Sequence, residues 1–193
     1  MPLKVLLAED DTINRNHLYQ VLGKTQKYTV YEAPDGRSTI RLATELKPDV
    51  IVFHVGMTNL NELEAIKYIQ TVNPNVRMLG FSVMYLKNFI KAMLNIGAFG
   101  YIVEKFSLTE FEQALTHFQE GTYYLSDRII RRMATEMLTR IPETHRNGKV
   151  DYQLLSRLSR GQARNRIAFD LNLDDDFIQE RVDRWVFEWV EMN

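Results

Sequence analysis

Pro48-Asp49-Val50-Ile51-Val52-Phe53-His54 is the stretch that decides the fold. A Pro-Asp pair opens it, an apolar run follows, and an imidazole closes it. Three other short apolar runs share this design. Val5-Leu6-Leu7-Ala8 ends in the acid pair Glu9-Asp10, Met78-Leu79-Gly80-Phe81 ends in Ser82, and Gly100-Tyr101-Ile102-Val103 ends in Glu104. Each reads as a strand that delivers a polar residue at its carboxyl end. In an open parallel sheet those ends converge on one crevice, where such folds place their chemistry.

Outward from that stretch, residues 3–120 alternate strand and helix signals. Apolar runs fall at 4–8, 28–32, 50–54, 77–82 and 100–103. Between and after them, helical spacing covers 12–23, 36–46, 62–72, 86–96 and 108–120. Alternation of this kind means repeated βα units and hence a parallel sheet. Asp35-Gly36 and Pro74-Asn75 mark turns, and Ser107 with Glu110 makes a capping box at the start of the fifth helix. The fold class expected is α/β, a five-stranded doubly wound parallel sheet, followed by a small all-α domain.

A further helix is expected after Ser126, where Ile129, Ile130, Met133, Met137 and Leu138 recur at helical spacing. The polar, aperiodic segment Ile141–Lys149 contains Pro142 and Gly148 and reads as a linker. The organisation read here is a first domain over 1–125, a helix and linker over 126–149, and a second domain over 150–193. That second domain carries helices at about 151–160 and 163–171 and a third opened by Asp174, a good N-cap. Two helices joined by the tight turn Asn172-Leu173 form a helix-turn-helix pattern.

Bulk properties narrow the function. A net charge of -1 argues against wholesale attraction to nucleic acid or anionic membranes. The absence of cysteine excludes disulfides, thiol chemistry and Cys-based metal sites. The chain enters its first strand directly after Met1-Pro2, with no leader pattern, and no apolar run approaches membrane-spanning length. A soluble, cytoplasmic protein is expected, with no membrane partner.

These residues resemble a response regulator of the NarL/FixJ type over nearly the whole chain. The first half is similar in Leu6-Leu7-Ala8-Glu9-Asp10, Lys47-Pro48-Asp49-Val50, Leu63-Glu64-Ala65, Gly97-Ala98-Phe99-Gly100-Tyr101 and Gly121-Thr122-Tyr123-Tyr124-Leu125-Ser126. The second half looks like a worn LuxR-type DNA-binding domain, with Gly161, Ile167-Ala168, Leu171, Leu173, Val182 and Arg184 at that domain's spacings. The resemblance implies a receiver in which an acid pair binds Mg²⁺, an aspartate accepts phosphoryl, a Ser/Thr and a Lys hold the phosphate, and an aromatic reports the change. Glu9 and Asp10 match the acid pair, Ser82 the hydroxyl and Tyr101 the switch aromatic. His54 replaces the aspartate and Glu104 the lysine. Lys105 follows one residue later, so it should point to the opposite face of its strand. Thr58-Asn59 stands where the family tends to have Pro-Gly.

Phosphoryl transfer needs an oxygen nucleophile, a divalent cation and a cation opposite the transferred group. With His54 and Glu104 at the two key positions, phosphorylation at the usual site is not expected. The two replacements together reverse the polarity of an ion pair rather than delete it. His54 is therefore expected to pair with Glu104, Glu9 or Asp10, carboxylates that favour an imidazolium. Three alternatives stand beside this one. His54 could simply fill a strand end and satisfy its nitrogens locally, bind a metal with Glu9 and Asp10, with or without Glu104, or itself be phosphorylated. Tyr101 is either a switch with Ser82 or one more packed aromatic. No cofactor, metal or catalytic residue is assigned.

In the second domain, the resemblance turns Gln179, Glu180 and Asp183 toward bases, and Arg164, Gln179, Arg181 and Arg184 are the DNA-binding candidates. Charge opposes them. From residue 149 onward there are seven basic and nine acidic residues, the wrong balance for a typical DNA reader. Asp174-Asp175-Asp176 suits a helix start but repels phosphate. Arg157, Arg160, Arg164 and Arg166 form a basic stripe, read either as a solvated face or as a phosphate contact. The family's fourth helix has no counterpart before Asn193. Trp185 is expected in the core, while Trp189 and Phe187 divide between core and interface. The expectation is an atypical, phosphorylation-independent, non-enzymatic response regulator that acts on transcription through DNA or protein contacts. The alternative is a scaffold module that has lost DNA binding. DNA, a partner signalling protein and a second copy joined through the receiver are the candidate partners.

Overall fold

A computed structural model describes residues 1–57, 62–103, 106–142 and 150–191. Expectations for Thr58, Asn59, Glu104 and Lys105 lie outside the described residues. The chain divides into two compact units, Met1–Tyr124 and Leu125–Asn193.

The first unit carries β1 (Leu3–Ala8), α1 (Thr12–Leu22), β2 (Tyr28–Ala33), α2 (Gly36–Leu46), β3 (Val50–His54), α3 (Glu62–Val72), β4 (Arg77–Ser82), α4 (Lys87–Asn95), β5 (Gly100–Val103) and α5 (Leu108–Gln119). The five anticipated strands pair in parallel. A two-residue β6 (Tyr124–Leu125) extends the order to β2-β1-β3-β4-β5-β6. Two residues are too few to show periodicity. This strand is visible only through bonds such as Tyr124 N donating to Phe99 O at 3.0 Å.

The apolar runs are continuous because both sheet faces are covered. On one face Val5, Leu7, Val50, Val52, Leu79, Phe81 and Ile102 meet Leu18, Val21 and Leu22 of α1 and Phe111, Ala114 and Leu115 of α5. Residues of opposite parity, Leu6, Ile51, Phe53, Met78 and Tyr101, are fully buried as well. On that face α2 packs on β1 and α4 on β5. The strand order reverses between β1 and β3, which opens the crevice at their carboxyl ends. Caps fix the helices around it. Asp11 accepts from Asn14 N at 2.8 Å to start α1, and Ser107 from Glu110 N at 3.2 Å to start α5.

The second unit holds α6 (Asp127–Arg140), α7 (Val150–Ser159), α8 (Arg164–Leu171) and α9 (Asp175–Glu191). The spacing read after Ser126 buries Ile129, Ile130, Met133 and Met137, and α6 packs on α7. Gly161 ends the α7 turn at φ +76°, and a Cβ there would run into the Arg131 guanidinium of α6. Asn172 takes the left-handed conformation at φ 51° to end α8, and Asp174 Oδ1 accepts from Asp176 N at 2.8 Å. Trp185 and Trp189 are both buried, and the Trp189 indole donates to Glu136 Oε2 at 3.0 Å. Trp189 thus belongs to the core of its own unit. Three helices are too few to bury it; α6 supplies the fourth wall. Phe187 stays 62% exposed.

Candidate functional site

The parallel register builds the crevice. Val5 pairs with Val50 and Leu7 with Val52. Two residues further along each strand, Glu9 comes abreast of His54. Asp10 follows where the chain turns toward α1. The side chains meet there: His54 Nδ1 lies 3.0 Å from Glu9 Oε1 and 3.9 Å from Asp10 Oδ1. Of the two described carboxylates weighed for His54, both lie within ion-pair range and Glu9 is the nearer. Glu104 lies outside the described residues.

Glu9 is fully buried, whereas the side chains of His54 and Asp10 keep 14% and 24% of their exposure. Glu9 Oε1 also accepts from Asp11 N at 3.0 Å, while Oε2 has no hydrogen-bond partner. Arg15 of α1 braces the same corner. Its Nη1 donates to Glu9 O at 2.9 Å and its Nε sits 3.5 Å from Glu32. The Glu9 carboxylate itself is met by the Asp11 N–H and lies 3.0 Å from His54 Nδ1, the contacts that offset its burial. Nothing in the residue pattern singled out Arg15, because its partners are a strand-end carbonyl and a side chain of β2.

The imidazole rests on an aromatic wall. His54 stands opposite Phe81 in the β3–β4 register, and the two rings lie tilted at 35° with centroids 4.8 Å apart. Phe81 meets Phe106 edge-on at 5.8 Å, so the crevice is joined to the core by contact. Ser82 is 2% exposed and its Oγ accepts from Met84 N at 3.1 Å. Tyr101 is completely buried, with its ring across Gly80. A Cβ on Gly80 would stand 2.6 Å from Tyr101 Cδ2 and 3.2 Å from Met93 Cε.

In the second unit the four DNA-binding candidates are all engaged with other side chains. Arg164 Nη1 donates to Gln179 Oε1 at 2.5 Å, and Gln179 Nε2 donates to Asp183 Oδ1 at 3.0 Å. Asp151 holds Arg184 at 2.9 Å and Arg181 at 3.6 Å, and the Arg181 guanidinium lies 4.9 Å from the Phe177 ring centre. Two further members of the basic stripe are engaged as well, because Asp170 takes Arg157 and Arg166 at 2.9 Å each, together with Gln162 at 2.7 Å. Arg166–Asp170 was readable from its i,i+4 spacing. Asp151 was not: it reaches Arg184 across 33 residues.

The Gln162 amide first, then the Arg166 and Arg157 guanidinium groups, hold the Asp170 carboxyl below the usual carboxylate range. A lowered pKa stabilises the fold above the unfolded value and ceases to do so as pH falls through the folded one. Asp170→Asn should therefore flatten the pH dependence of unfolding of the helical unit below about pH 4, as read by thermal melts. An unchanged acid limb would mean the cluster is not held.

The sheet order and the strand-end acids together define a receiver-type domain. The family model for the response regulator receiver domain matches residues 5–116, and this chain belongs to that family. The response regulator GacA of Pseudomonas aeruginosa is 28% identical over 144 residues, 74% of this chain and 66% of its own length. The aligned stretch thus falls just short of two thirds of that relative. The transcriptional regulatory protein YdfI of Bacillus subtilis is 25% identical over 93% of this chain and 85% of its own. A structure of the Salmonella typhimurium RcsB response regulator covers all of this chain and 94% of its own at TM-score 0.60 and 18% identity, a likeness of fold. Among the described residues no helix is long and apolar enough to cross a membrane.

Proposed function

We propose that this protein is a response regulator of a two-component pathway that controls transcription without aspartyl phosphorylation. The observation that carries the proposal is His54 at the end of β3, 3.0 Å from Glu9. An imidazole there offers no carboxylate oxygen to a phosphoryl donor. It also faces the acids that would otherwise hold the cation such chemistry needs. The molecule works as a conformational and binding protein rather than an enzyme, in the cytoplasm, with DNA and a second copy as partners.

Its switch aromatic fits the same reading. Tyr101 lies buried across Gly80, a position with no side chain to displace it. Ser82, whose Oγ takes the Met84 amide, acts in turning the β4–α4 loop.

A second reading, the protein-interaction module, draws on one specific observation: Arg164, Arg181 and Arg184 are each tied to a neighbour. Arginines neutralised by Asp151 release no counterions from DNA. Fluorescence anisotropy with random-sequence duplex DNA separates the two. Transcriptional regulation predicts binding at low salt that weakens as salt rises. It also predicts tighter binding in Asp151→Asn, with a salt slope steeper by up to about 0.9 for each arginine freed. No binding by either protein at low salt would leave the interaction module as the function.

A further inference from the structure

The acid pair of the receiver family implies Mg²⁺, and the residues present do not fit that ion. Mg²⁺ demands near-ideal octahedral oxygen coordination at short range and gives up its water reluctantly. Here the third side chain of the crevice is an imidazole, which removes one anionic oxygen and substitutes a nitrogen.

The same three residues fit a different class of ion. Among the described residues, Glu9, Asp10 and His54 each offer one ligand atom, and these atoms all lie within 4.8 Å of one another. His54 Nδ1 is 3.0 Å from Glu9 Oε1 and 3.9 Å from Asp10 Oδ1. Two ligands at about 2.0–2.1 Å from one tetrahedral ion sit roughly 3.3 Å apart. The His54–Glu9 and His54–Asp10 separations bracket that figure, and with all three ligand atoms inside 4.8 Å a side-chain adjustment of about an ångström lets them share an ion. A second observation is independent of the clustering. Glu9 is fully buried, and its second carboxylate oxygen, Oε2, has no hydrogen-bond partner. Such an oxygen is a standing electrostatic cost that a bound cation relieves.

We infer that the crevice has exchanged its Mg²⁺ site for a site that takes a borderline divalent transition ion of the Zn²⁺ kind through Glu9, Asp10 and His54. Mixed imidazole and carboxylate ligands favour such ions, and their intrinsic affinities exceed those of hard ions at nitrogen. The ion supplies the input that the missing phosphoryl group no longer provides. It ties β3 to the β1–α1 corner, where Asp11 both caps α1 and donates its N–H to Glu9. Phe81, packed against His54, carries that tie into the core. The inference deepens the phosphorylation-independent reading, and the two fail separately. Phosphoryl labelling sinks that reading, whereas the outcomes below concern metal alone.

The test is calorimetric titration of the full-length, EDTA-stripped protein with ZnCl2, CoCl2 and MgCl2, with visible spectra of the Co²⁺ complex. One equivalent of Zn²⁺ or Co²⁺ should bind, with d–d bands for Co²⁺ and no competition from a large excess of Mg²⁺. His54→Asn should weaken Zn²⁺ by more than roughly 100-fold, since even residues that only orient ligands contribute 10–100-fold. His54→Asp, which restores a third carboxylate, should turn the preference toward Mg²⁺. Circular dichroism establishes that each variant is folded. A folded wild-type protein that binds neither Zn²⁺ nor Co²⁺ overturns the inference. So does Zn²⁺ binding undiminished in His54→Asn, which would place the ion on other histidines, or Mg²⁺ competing on equal terms.

Discussion

Trp189→Ala should cost the helical unit roughly 3–5 kcal/mol, the range for removing a buried tryptophan. Trp189 is fully buried in α9, and its indole N–H is bonded to Glu136 of α6. Truncation therefore opens a cavity and removes one hydrogen-bond donor from the Glu136 carboxylate. For a unit of this size the loss lowers the melting temperature by more than about 10 °C. Trp185 remains as the reporter, because the chain holds only two tryptophans. Phe187→Ala is the control. With 62% of its surface exposed it should change stability by less than about 0.5 kcal/mol. Equal effects from the two substitutions would contradict the four-helix core.

Gly80→Ala should cost about 1–3 kcal/mol, the usual range for forcing a methyl group into a packed core. The added Cβ would meet the Tyr101 ring at 2.6 Å, well inside contact distance. Tyr101 is completely buried, and Met93 Cε of α4 lies 3.2 Å from the same added Cβ, so the methyl group is crowded from two sides. The double variant Gly80→Ala, Tyr101→Ala should recover part of the difference expected from adding the single effects, the sign of direct coupling. Strict additivity would mean that the ring does not depend on the glycine. Thermal melts followed by circular dichroism provide the comparison.

The α/β fold was legible because a doubly wound sheet writes itself as apolar runs of strand length between helical spacings. The meeting of Glu9 with His54 was legible for a related reason. β1 and β3 are neighbours at the reversal of strand order, and equal distances along paired strands arrive abreast. The particular partner was not, since choosing among three acids requires side-chain positions. Gly80 carried a readable signal, an isolated glycine inside a strand, which marks close approach of another group. The partner of Asp151 had no such signal, because the helices carrying it and Arg184 meet only after folding. Trp189 was ambiguous because its fourth wall, α6, lies before the linker and was not counted with the three helices that follow.

A regulator independent of aspartyl phosphorylation should take no phosphoryl group in its strand-end pocket. Incubation of the purified chain with acetyl phosphate and Mg²⁺, followed by intact-mass spectrometry, tests it most directly. A single species at the unmodified mass is expected under conditions that fully label an ordinary receiver. A mass gain of one phosphoryl group, mapped to His54 or to its acidic neighbours, would contradict it.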